Sequence, residues 1–367
     1  MTQSFKELVE SQFDESLSEG LRDTINNSKI GHAINRTGLG NRVVVTSHNI
    51  KQTAGYLASK AAHLTGLSAS SSPKQLNNAV DHMDTHYGAD AKKVVPVILA
   101  HPKATDAHLA SAVRRSAGDV QAAVNHPNSG PKTLGNATSE LSNRNFSSVQ
   151  SKSLANSIIA HPKVSSDDLH QVAHFALRNG HAETLRKIID HPKTSSATLE
   201  RIADSKHINA SDLHSIAHHP NGDTIEVKKA ILDNNKTSTS TIRDIANSKG
   251  NEAKGNEANY NIHARILRHE NTDPVTIHKV VTDKHGQYSK MSAVNNPNTS
   301  PETLLHITQS VVNDKDHKWQ HIHALLDNPK TPSSALRLIH GVSSHFHQDA
   351  ENHPNGQALR NFRGPIN

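Results

Sequence analysis

Three observations predict an all-α fold, a solenoid of short helix pairs. A phrase built on His-Pro or Asn-Pro recurs at roughly 25–35 residues, the period of stacked helical repeats. Aliphatic residues at helical spacing flank each copy. Large side chains are scarce: the chain is 34% hydrophobic and 3% aromatic, against about 45–50% apolar in ordinary globular domains. Many small cores of Leu, Ile, Val and Ala between stacked helices fit this composition; one large aromatic core does not.

The phrase runs through His101-Pro102-Lys103, His126-Pro127-Asn128, His161-Pro162-Lys163, His191-Pro192-Lys193 and His219-Pro220-Asn221. It continues in Asn296-Pro297-Asn298, Asn328-Pro329-Lys330 and His353-Pro354-Asn355, with Asn234-Asn235-Lys236 and His269-Glu270-Asn271 as copies lacking the proline. Before it lies an apolar run such as Leu185, Ile188 and Ile189. The proline pushes its predecessor out of the α region, so this first helix stops at the His or Asn. After the turn comes a helix cap, as in Ser300-Pro301, where a side-chain oxygen accepts from orphan N–H groups and proline suits the first helical position. Four residues past each cap stands Leu or Ile, from Leu76 and Leu109 to Leu336, and three further on a second small or branched residue, from Ala79 to Ile339. This spacing puts both on one helix face, in a stripe too short to be stable without burial against neighbours. Leu199 and Leu213 are unusually close, which predicts a truncated or rearranged repeat, and Pro332 stands where Ser or Asp caps other copies. Residues 249–257 read as a polar loop inserted into the stack.

Residues 1–65 lack the phrase and read as an N-terminal helical cap, leaving 66–367 as the repeat array. Phe5, Leu8, Phe13, Leu17 and Leu21 mark one side of an amphipathic helix there. The chain has no cysteine, which excludes disulfides and thiolate chemistry. No stretch approaches the ~18 apolar residues of a membrane span, and residues 1–10 lack the apolar core of a secretory signal. A protein without membrane contact, cytoplasmic or carried in a virion, is expected.

The phrase in its fullest form, Asn296-Pro297-Asn298-Thr299-Ser300-Pro301-Glu302-Thr303-Leu304, resembles the variant leucine-rich and HEAT-like α-helical repeat families over roughly residues 66–360. The resemblance implies a curved, right-handed array of about nine to ten helix-pair repeats with an extended concave surface. It specifies architecture and not activity. The first ten residues resemble the capsid-targeting leader of internal head proteins of large tailed bacteriophages, whose protease cuts after a Leu-x-Glu triplet. Leu8-Val9-Glu10 fits that pattern, with Leu8 and Glu10 as the processing residues.

Formal charge is +6 with a pI of about 9.3, a mild excess that favours anionic partners. Lys103, Lys163, Lys193, Lys236 and Lys330 occupy equivalent turn positions, which predicts a lysine edge suited to phosphates. Trp319 is the only tryptophan and a candidate interface anchor. Seven of the 29 histidines open copies of the phrase. Outside it, the run Asp81 to His86 alternates ligand-type residues. His317, His321 and His323 combine an i,i+4 pair with a third imidazole, a combination that suits zinc. No phosphate loop, nucleophile elbow or H-E-x-x-H signature appears. The expectation is a non-catalytic binding scaffold without a cofactor, its partner a protein. The alternative is a nucleic-acid-binding solenoid of the HEAT-like DNA glycosylase type.

Overall fold

The computed structural model describes residues 71–85, 89–115, 120–143, 148–248, 256–283, 289–314 and 318–361. Among them every regular element is helical. The expected N-terminal cap, with Leu8 and Glu10, lies outside the described residues, as does His317. The chain divides into two compact units between Val164 and Ser165, a boundary inside a repeat turn that no shift in composition marks.

In the first unit α1 (Pro73–Thr85), α2 (Ala89–Ala100), α3 (Asp106–Arg115), α4 (Val120–Asn125), α5 (Pro131–Asn143) and α6 (Ser148–Ala160) follow one another. Helices α1, α3 and α5 pack in succession, and α4 packs on α6.

The second unit opens with α7 (Ser166–Asn179), α8 (Ala182–Ile189), α9 (Ser196–Ala203), α10 (Ala210–His218), α11 (Ile225–Asp233) and α12 (Thr239–Asn247). It continues with α13 (Asn256–Arg268), α14 (Pro274–Thr282), α15 (Lys290–Val294), α16 (Pro301–Asn313), α17 (Lys318–Asp327), α18 (Ser333–His340) and α19 (His347–Asn352). Packing here runs between alternate helices. One row is α7, α9, α11, α13, α15 and α17; the other is α8, α10, α12, α14, α16 and α18. Helix α13 begins at Asn256, so Asn256 and Glu257 are helical and not part of a loop.

The apolar stripe read from spacing is the core of these rows. Every residue four and seven past a cap, from Leu76 and Ala79 to Leu336 and Ile339, is buried. Full burial of such an aliphatic side chain stabilises by about 1.5–3 kcal/mol, which short helices need because they are marginal alone.

The caps are those the residue types dictate. Ser195, Ser238 and Ser300 each accept from the amide three residues on, and Ser165–Asp168 and Asn209–Asp212 form reciprocal capping boxes. Pro332 offers no side-chain cap to α18. Helix α5 has Gly130 where a capping side chain would stand, and Asp106 at the start of α3 supplies the oxygens instead. Its carboxylate accepts from the amides of Lys132 and Thr133 at 3.0 Å each, and from the Thr133 hydroxyl at 2.6 Å. A Cβ at Gly130 would stand 2.8 Å from that carboxylate, so the glycine makes room for a cap delivered by a neighbouring helix.

The closeness of Leu199 and Leu213 has a simple cause. Helix α9 is followed by another tight turn, in which the His207 amide donates to the Ser205 hydroxyl at 3.1 Å. The helix after one turn is therefore also the helix before the next, and Ser205 stands where other copies carry His or Asn.

Candidate functional site

Each residue of the recurring turn has a distinct task. The first residue accepts, through His Nδ1 or Asn Oδ1, the backbone N–H two positions on. The Lys103, Asn128, Lys163 and Lys193 amides donate in this way to His101, His126, His161 and His191 at 3.1 Å. The Lys236, Asn298 and Lys330 amides donate to Asn234, Asn296 and Asn328 at 3.1, 2.8 and 2.9 Å. Because Nδ1 accepts, the proton of a neutral ring sits on Nε2, which becomes a donor. His126 Nε2 donates to His101 O, His219 Nε2 to His191 O, His269 Nε2 to Asn234 O and His353 Nε2 to Asn328 O. The third residue adds a further strand to this lacing: Asn128, Asn221, Asn271, Asn298 and Asn355 each donate to carbonyls of the adjoining turn. Where the fourth residue is Thr it is buried and returns its hydroxyl to the helix just ended, as Thr331 does to Leu325 O at 2.6 Å.

The bonding partners reveal which turns adjoin. His219 bonds to the turn of His191, 28 residues earlier, whereas Asn234 bonds back to Ala203 and Ser205, passing over the His219 turn. From Asn234 the second ladder runs through His269, Asn296, Asn328 and His353. Two ladders thus serve the second unit, one for the turns at 191 and 219 and one for the turns from 205 to 353.

This distributes the lysines. Lys193 belongs to the first of these ladders, Lys236 and Lys330 to the second, and Lys103 and Lys163 lie in the other unit. Equivalence of turn position does not place Lys193 on the edge of Lys236 and Lys330, because successive turns alternate between ladders. Lys163 Nζ donates to Ser129 O at 2.9 Å, Lys236 Nζ to Ile208 O at 3.0 Å and Lys330 Nζ to Pro297 O. At these three turns lysine does the work that asparagine does elsewhere.

A second set of lateral contacts joins helix faces within a row. The residue five past a cap reaches the start of the next helix in its row. Asn77 Oδ1 meets His108 Nε2 at 2.5 Å, His170 Nδ1 meets Thr198 Oγ1 at 3.0 Å, and His278 Nδ1 meets Thr303 Oγ1 at 3.1 Å. Arg186 and Arg243 pair with Asp212 and Asp273 at 3.0 and 3.3 Å in the same manner.

Several titratable groups are shifted by these contacts. Burial lowers His191, and the neighbouring Lys193 and His219 add to the shift. His108 is likewise lowered, by burial and then by His101, against an opposing pull from Asp81. For Asp106 burial alone acts upward, but hydrogen bonds from the Thr133 hydroxyl and the amides of Thr133, Lys132 and Gly130 outweigh it and hold the carboxyl low. Asp273 is lowered against burial by Thr276 and Arg243. A histidine lowered in the fold binds its proton more readily when unfolded. Its contribution is complete above its ordinary value near 6.5 and is lost as pH falls through its folded value. The aspartates, lowered from 3.8, contribute above that value and lose it in stronger acid. Thermal stability is therefore expected to fall in two steps on acidification, the first below about pH 6.5 from the histidines and the second below about pH 4 from the aspartates. His191→Asn, which keeps the acceptor that Asn234 uses, should flatten the first step. An identical pH profile in that variant would refute the assignment to His191.

Of the Asp81 to His86 run, the side chains from His82 onward lie outside those described. His321 and His323 are both on α17, two residues apart and so on opposite helix faces; His323 sets its ring edge-on to Phe346, 5.5 Å between centroids. Trp319 is 55% exposed although Phe346, fully buried, lies 4.9 Å from its ring and His345 meets it edge-on at 5.5 Å. Among the described residues His214, His218 and Asp244 form a group with metal-ligand spacing. Its histidine pair is legible as an i,i+4 spacing; Asp244 becomes visible only when α10 is laid beside α12.

The class defined by this geometry is an all-α protein of laced, recurring helix–turn–helix units. Comparison with protein-family models, curated proteins and solved structures finds no match to the chain. Among the described residues no helix is long and apolar enough to cross a membrane.

Proposed function

We propose that the protein is a non-catalytic binding scaffold, built as a HEAT-like α-solenoid, whose partner is another protein. The observation that carries this reading is Trp319. Its indole is half exposed yet braced by Phe346 and His345, so little side-chain freedom remains to be lost on docking, as in aromatic anchors of protein interfaces. The laced turns support the solenoid, since from Asn234 to His353 each copy bonds to the copy before it and the run continues without closing on itself. Contact with nucleic-acid phosphates through the turn lysines has weaker support, because the ammonium groups of Lys163, Lys236 and Lys330 already donate to backbone carbonyls.

Affinity capture on immobilised full-length protein, quantified against a Trp319→Ala variant, tests the reading. Proteins bound by the native chain are expected to fall at least about tenfold with Trp319→Ala, the effect of losing an anchor contributing 1.4 kcal/mol or more. An unchanged set of bound proteins rejects Trp319 as the anchor. Electrophoretic mobility on duplex DNA at rising salt separates the two readings. Retardation that vanishes steeply with salt favours phosphate contact; its absence at low salt eliminates it.

A further inference from the structure

We propose that His214, His218 and Asp244 form a surface site for a divalent transition-metal ion, zinc or nickel, joining α10 to α12. One nitrogen from each imidazole and one oxygen of the carboxylate lie within 4.8 Å of one another. His218 Nε2 is 3.7 Å and His214 Nδ1 is 3.8 Å from Asp244 Oδ2. Zinc held at about 2.0–2.1 Å by imidazole and carboxylate needs tetrahedral ligand atoms about 3.3 Å apart. Small inward movements of exposed side chains therefore close the site. All three residues are 44–53% exposed, so a fourth coordination position faces solvent, open to water or to a side chain of a bound partner.

Tautomer chemistry strengthens the assignment. His218 Nδ1 donates to the His214 carbonyl at 2.9 Å, which fixes its proton there and turns the Nε2 lone pair toward Asp244. A second hydrogen bond that orients the imidazole in this way is the usual support of a metal-binding histidine. His218 Nε2 and the Asp244 carboxylate then face each other across 3.7 Å, a gap that an ion coordinated by both would close. His214 approaches the Thr241 hydroxyl at 3.3 Å, and that hydroxyl has an alternative partner in Ser238, 2.9 Å away. Coordination by His214 thus leaves no orphaned group.

The repeat itself supplies the controls. His170 and His278 stand where His214 does and meet Thr198 and Thr303 as His214 meets Thr241. In the His170 copy the counterpart of His218 is His174, but the counterpart of Asp244 is Arg201. In the His278 copy those places hold Thr282 and His306, and the His278 and His306 rings meet edge-on, 5.9 Å between centroids. The lateral His–Thr contact belongs to the fold. The complete ligand set belongs to one copy.

Isothermal titration of the full chain with Zn²⁺ alone, repeated with Ni²⁺ alone, tests the site. His218→Gln and Asp244→Asn should each remove one site per chain or weaken it at least about tenfold, the minimum expected when even an outer-sphere partner contributes 10- to 100-fold. Circular dichroism verifies that each variant is folded. Arg201→Asp completes the ligand set beside His170 and His174 and should add one site; it decides the matter alone if the loss variants do not fold. A native chain that takes up neither metal overturns the proposal. So does a native stoichiometry and affinity retained in both loss variants, or, where those do not fold, unchanged in Arg201→Asp.

Discussion

Asn296→Ala is expected to destabilise the second unit by about 2–4 kcal/mol, measured as a lowered midpoint of urea unfolding followed by circular dichroism. The Asn296 side chain is buried and makes three hydrogen bonds. It donates to Leu267 O at 2.8 Å and His269 O at 3.1 Å and accepts from the Asn298 amide at 2.8 Å. Each typical bond contributes about 0.5–1.5 kcal/mol net, and a buried group left without its partner costs about 1–3 kcal/mol. In a repeat array such a loss falls on one interface between neighbouring units, because each unit contacts only those beside it. Asn296→His should recover most of the stability, since His269 and His353 make equivalent turn and ladder bonds on either side. A native midpoint in Asn296→Ala would show that the ladder is not what holds the turns together.

Gly222→Ala should be damaging, by about 3 kcal/mol or more, for a reason that backbone angles do not reveal. Among the described residues Gly180 alone has positive φ, so Gly222 is in a conformation open to other residues. It occupies the fourth place of its turn, where Thr stands in several other copies. Its amide donates to His219 O at 2.7 Å. A Cβ there would lie 2.1 Å from Ile216 O and 3.0 Å from His219 O. No rotation of a side chain relieves contact with backbone oxygen, so the last turn of α10 or the turn itself must open, loosening the His219 bond to His191. Gly135 within α5 is the control. Nothing lies within 4 Å of its Cβ position, and Gly135→Ala should raise stability by about 0.5–1 kcal/mol through helix propensity. Thermal unfolding of the two variants decides this; equal effects would remove the steric argument.

The differences between sequence and structure follow from where each interaction lives. The stop before proline, the cap, and the Leu or Ile four residues past it depend on neighbours within one or two helical turns, so they were readable, and every stripe residue is buried. The double use of α9 was detectable only as an odd spacing, because Ser205 replaces the usual His or Asn while keeping its acceptor oxygen. Asp106 as the cap of α5 was hidden, since the signal at Gly130 is a missing side chain and its replacement comes from 24 residues earlier.

By itself the sequence determined the helices, the turns between them, the tautomer-sensitive residue that opens each turn, and the apolar stripe that drives stacking. These are local consequences of steric exclusion, capping and a 3.6-residue period. The tertiary structure alone decided which turn lies beside which: ladders join alternate turns, divide the lysines and employ three of their ammonium groups on carbonyls. It also decided that Asp244 faces His214 and His218, while in the other row Arg201 takes the equivalent place beside His170. The reason is physical: lateral register is set by the summed lengths of two helices and two turns, and no short-range pattern in the chain carries that sum.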